Sequence, residues 1–101
     1  MLSKKKSRPI VVRGQEYRWS IAEDGEYAAL AVQRGDVDGQ KLETIIRVFE
    51  PGGKLKPITP SLVATIITDA LLLGWAPEKR QAPLELTLTD DDQLVVRRAP
   101  S

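Results

Sequence analysis

The sequence predicts an α+β domain: one helix packed on a mostly antiparallel sheet of about six strands, in the order β-β-β-β-α-β-β. Three observations carry that expectation. Residues 10–50 alternate short β-rich runs with turn signals, as a meander does. Residues 58–77, ITPSLVATIITDALLLGWAP, repeat apolar side chains at helical spacing between two marked ends. Two further alternating runs then close the chain. A lone helix with a broad apolar face must be covered by a sheet.

The first run, Ile10 to Arg13, ends at Gly14. The second, Tyr17 to Ala22, sets Tyr17, Trp19 and Ile21 on one face and Arg18 and Ser20 on the other. Asp24-Gly25 suits the centre of a tight hairpin, where positive φ is favoured. The third run, Tyr27 to Gln33, groups Ala28, Leu30 and Val32. A looser connection, RGDVDG, leads to Lys41 to Glu50, whose Leu42, Thr44, Ile46 and Val48 share a face; PGGK ends it.

In the helical stretch Thr59 is the expected N-cap, and Pro60 takes the first helical position, where a missing N–H costs nothing. Gly74 is placed for a left-handed C-cap and Pro77 blocks continuation. About fourteen residues give roughly 21 Å of helix. Leu62, Val63, Ile66, Ile67, Ala70 and Leu73 make its apolar face, opposite a wedge of Ser61, Thr65, Thr68 and Asp69. Leu72 falls within that polar wedge. After GWAPEKRQAP, Leu84, Leu86 and Leu88 share a face, and TDDD turns the chain into Leu94 to Arg97. The expected core is Trp19, Ile21, Leu30, Ile46, Ile66, Ile67, Ala70 and Leu86.

One hundred and one residues fit one domain, expected over 8–98 behind a disordered basic tail at 1–7. With no cysteine and no histidine, disulfides, thiolate chemistry, zinc–thiolate sites, imidazole ligands and the usual triads are all excluded. No signal-peptide pattern or membrane-length apolar run occurs, so a soluble cytoplasmic protein is expected. Lys4, Lys5, Lys6 and Arg8 hold four of the fifteen basic residues. The rest of the chain carries eleven against fourteen acidic residues, a net −3. The slight overall basicity belongs to the tail, and the body lacks the charge of a polyanion binder.

Tyr17-Arg18-Trp19, then ITPSLV at 58–63 and GWAP at 74–77, form a pattern that resembles a group of small bacterial proteins with no assigned activity. Their shared features are a tryptophan-bearing strand, I-T-P-x-x-V, and a helix ending in G-W-x-P. The likeness spans most of residues 10–88. It implies a bacterial single-domain protein and carries no catalytic residue with it.

Candidate sites are few. RGD at 34–36 is ordinary turn chemistry. DVDG at 36–39 and DDD at 90–92 offer oxygen ligands, but lack the glycine spacing and closing glutamate of an EF-hand; solvated turns are their expected role. No nucleophile has a histidine to activate it, and PGGK lacks the spacing of a phosphate loop, so neither enzyme nor cofactor is expected. Arg18 and Arg47, with the basic tail and Arg97-Arg98, make a nucleic-acid module the alternative reading. Tyr17 and Trp19 argue against it by sharing a face with Ile21.

Trp75 has two readings: packing back on the last helical turn, or lining a surface with Pro77. Ile45 and Phe49 lie opposite the apolar face of their own strand. One helix cannot cover both faces of such a sheet. The expectation is therefore a protein-interaction module, a homodimer or a receiver of another protein, with Ile45, Phe49, Leu72 and Trp75 as the candidate surface.

Overall fold

The computed structural model describes residues 7–35, 37–48, 57–89, 91 and 93–98. The elements run β1 (Arg8–Val12), β2 (Gln15–Asp24), β3 (Tyr27–Arg34), β4 (Leu42–Arg47), α1 (Pro60–Leu72), β5 (Leu84–Leu88) and β6 (Leu94–Arg98). Six strands form one sheet whose spatial order equals the chain order. Every neighbouring pair is antiparallel except β4 and β5, which are parallel. The α+β class holds, and α1 is the crossover that a parallel pair demands.

Local chemistry sets the register. The β1–β2 hairpin turns on Arg13-Gly14, with φ 52° and 80°, the two positive angles that a type I′ turn requires. In the next hairpin Asp24 pairs with Tyr27, so the turn residues are Gly25-Glu26, one position later than the sequence suggested. Gly25, at φ 64°, supplies the positive angle that a type II′ turn needs only at its first central residue. This choice keeps Trp19 opposite Val32 and Ile21 opposite Leu30, aligning the apolar face across both strands.

Both helix ends follow the sequence. Thr59 accepts a hydrogen bond from the Leu62 amide at 3.1 Å, ahead of Pro60. At the far end the Trp75 amide donates to Ala70 O (3.0 Å) and the Gly74 amide to Leu71 O (3.3 Å), with Gly74 at φ 105°. These two bonds are the pair that defines a Schellman cap.

Val63, Ile66, Ile67 and Ala70 are buried against Trp19, Leu30, Ile46 and Leu86. Of the expected core only Ile21 differs: it is half-buried at the margin. The Cα atoms of α1 come within 8 Å of both edge strands, β1 and β6. A flat sheet of six strands, about 24 Å across, would hold its edges clear of one helix. The sheet is therefore concave around it.

A polar clamp completes the crossover. Gln40 is almost fully buried; its Nε2 donates to Ala82 O (2.9 Å) and its Oε1 accepts from the Ala76 amide (2.9 Å). Its carbonyl accepts from Trp75 Nε1 at 3.0 Å. The strand approach at 39–40 is thus fastened to the chain leaving the helix, so closely that a Cβ on Gly39 would collide with the Pro77 carbonyl. Ser7, assigned to the tail by sequence, is buried and accepts two hydrogen bonds from Arg18 at 2.8 Å, on Oγ and on its carbonyl.

Three measurements of unfolding free energy check this packing. Ile66→Ala should cost about 2–5 kcal/mol, since its side chain is wholly enclosed. Gln40→Ala should cost about 1–3 kcal/mol, because it empties a buried side-chain site and takes the partner from the Ala76 amide and the Ala82 carbonyl. Thr44 Oγ1, buried under the helix, has no hydrogen-bond partner among the described residues. Thr44→Val, which keeps the shape and removes the hydroxyl, should therefore stabilise by about 1–2 kcal/mol.

Candidate functional site

Because the strand period is two, the face turned away from α1 carries the alternate residues. Register places Ala22, Ala29, Ile45, Thr87 and Val95 in one line across β2 to β6. Four strand spacings make this row roughly 19 Å long. Ala22 and Ala29 are exposed, Ile45 and Thr87 half-buried, and Val95 is 51% exposed. Small and β-branched side chains leave the row flat. No described element lies over it.

Charged groups frame the row and are already engaged. On one flank Arg97 pairs with Glu85 at 3.0 Å, and on the other Arg47 lies 3.6 Å from Glu26. Beyond Ser20 and Ala31 the face closes. There Gln33 is buried, its Nε2 donating to Asp38 Oδ1 (3.1 Å) and Gly39 O (3.3 Å), while Arg18 is bound to Ser7. Arg18, Arg47 and Arg97, which a nucleic-acid surface would present, each have a protein partner.

The sequence-derived residues separate. Ile45 stands at the centre of the row. Leu72 is 79% exposed on the solvent side of α1, beside the 45% exposed Leu73, so it belongs to the opposite side of the molecule. Trp75 is corrected: it is 3% exposed, its ring 5.5 Å from that of Tyr17, and it lines no surface. Its packing on the end of the helix follows from the Schellman cap. Phe49 lies outside the described residues. The alanines of β3 were missed, although YAALAV places Ala29 and Ala31 where a solvated strand face would carry polar side chains.

A groove of about 340 Å³ runs between the N-terminal half of α1 and the β5–β6 hairpin, with Leu62, Ile66, Leu88 and Leu94 in its floor and Asp69 at its side. Its hydroxyls serve the helix: Thr59 caps it, and Thr65 Oγ1 donates to Ser61 O at 3.1 Å. Among the described residues no three acidic side chains cluster to hold a metal ion, and no helix is long and apolar enough to cross a membrane. Asp36, Asp90 and Asp92 of the candidate cation turns lie outside the described residues.

Comparison with family models, with curated proteins and with solved structures gives no match.

Leu72→Ser should leave stability within about 0.5 kcal/mol in a thermal or urea melt, since a side chain so exposed contributes little packing.

Proposed function

We propose that this chain is a small non-catalytic protein-interaction module whose binding surface is the sheet face opposite α1. The observation that supports this reading is the uncovered row Ala22, Ala29, Ile45, Thr87 and Val95. A solvated antiparallel face normally carries polar side chains, whereas here the centre is apolar and the charges stand at the margins. A polar rim around an apolar centre is the anatomy of a docking patch. The partner is a protein with a flat apolar surface that complements this row. The cysteine-free composition agrees with a cytoplasmic setting. The YRW, ITPxxV and GWxP pattern supports a bacterial source.

The nucleic-acid alternative loses the support of its sheet-face arginines, since Arg18, Arg47 and Arg97 are each tied to Ser7, Glu26 or Glu85, while Lys4, Lys5 and Lys6 of the tail lie outside the described residues. The sequence holds no histidine to activate a nucleophile, which favours a non-catalytic role.

Affinity capture from the native host with wild type, Ile45→Glu and Leu72→Ser tests the reading. A partner held by wild type and by Leu72→Ser but lost by Ile45→Glu is the expected result, with unchanged melting temperatures as the control. Equal retention by all three variants would reject the open face as the binding surface.

A further inference from the structure

The sheet has two edges, and they are not alike. At β1 the strand RPIVV contains Pro9, which removes one backbone donor. At β6 the strand LVVRR has no proline, and consecutive residues Val95 and Val96 are 51% and 42% exposed. Consecutive strand residues point to opposite faces, so β6 is bare on both sides of the sheet. Among the described residues no strand pairs with its outer edge. A register irregularity between Glu85 and Leu86, together with Arg97, protects only its C-terminal end. Leu94 to Val96 stay unprotected.

Backbone geometry says which groups are offered. The Thr89 amide donates to Gln93 O at 2.8 Å, so residues 89 and 93 are a hydrogen-bonded pair. Bonded and non-bonded pairs alternate along an antiparallel ladder. The amides and carbonyls of Leu94 and Val96 therefore point outward, away from β5.

We propose that β6 pairs antiparallel with β6 of a second copy of this chain, about a two-fold axis perpendicular to the sheet through Val95. In that register Leu94 faces Val96 of the other copy and exchanges both outward hydrogen bonds with it. Val95 meets its own counterpart on the open face, and Gln93 lies opposite Arg97. The turn carrying Asp91 comes alongside the basic end of the other strand, so the charges are complementary. Shifting the axis to Val96 would set Val95 against Arg97, apolar against charged. The sequence acid–apolar–basic from Asp91 to Arg97 thus matches an antiparallel copy of itself, which selects a second copy over an arbitrary strand.

The perpendicular axis keeps both open faces on the same side. Two rows then join into one of about 43 Å, at the usual strand spacing. The pairing itself does not depend on what that face binds. A contact of one short strand per copy buries less than a standard interface, so the dimer forms at roughly micromolar to tens-of-micromolar concentrations.

Sedimentation equilibrium of the full chain from about 5 to 500 μM tests this, the range suited to a small interface. Wild type should show a monomer–dimer equilibrium. Val95→Glu and Val95→Lys should each weaken it by about tenfold or more, because like charges then stand directly opposite. Their equimolar mixture should recover a dimer, since only a residue on the axis meets its own counterpart. Ile45→Glu should dimerise as wild type does, which separates this outcome from any failure of the open face to bind a partner. Val95 is half exposed, so these substitutions do not threaten the fold. A wild type that stays monomeric, a mixture that fails to pair, or a dimer abolished by Ile45→Glu would each overturn the proposal.

Discussion

The parallel pairing of β4 with β5 is the constraint on which the rest of the structure depends. Every other neighbouring pair is antiparallel and consecutive in the chain, so short connections suffice for them. A parallel neighbour cannot be reached that way; the chain must return along the length of the sheet before it can pair. That return is α1, and its position over one face decides which side chains are core. It also decides which face is left bare. The clamp at Gln40 and Trp75 then fixes the chain leaving the helix to the chain entering β4, so that β5 starts in register beside Leu42.

A single helix across six strands leaves more apolar surface than it can flatly cover. Coiling of the sheet answers part of this, bringing β1 and β6 toward the helix and enclosing Val12 and Leu88. The convex side receives no such help. Its polar end is sealed by Gln33 and by Arg18 with Ser7, while the alanine row remains open. The two faces of one sheet thus differ in kind. The inner face carries most of the large aliphatic and aromatic side chains, while the row across the outer face is built of small and β-branched residues with Tyr27 and Arg47 at its margin.

The segments Tyr17-Arg18-Trp19, ITPSLV at 58–63 and GWAP at 74–77 acquire a packing meaning in this fold. Tyr17 and Trp19 are buried on β2, Ile58 to Val63 hold the helix start, and Gly74 with Trp75 forms its cap. Tyr17 and Trp75 meet ring to ring, tying the second strand to the end of the helix across more than half the chain. These positions specify the fold.

The sequence by itself determined the elements and most of their faces, because those depend on local chemistry; Leu73, expected on the apolar face, is instead 45% exposed at the C-cap, past the last helical residue. Thr59, Pro60 and Gly74 mark the helix through backbone angles and caps, and period-two alternation marks the core side of each strand. It could also place Ile45 opposite that side and Leu72 in the polar wedge. Strand order, the one-residue shift of the Gly25 turn and the role of Gln40 were decided by the tertiary structure. Gln40 reads as an ordinary loop residue until Ala76 and Ala82, distant in sequence, are brought to it. Trp75 was open to two readings for the same reason, since a Trp after a cap points inward only if a ring such as Tyr17 waits there. The row from Ala22 to Val95 likewise exists only in space: apart from Ile45 its residues are unremarked in their own strands, and pairing register alone aligns them into a surface.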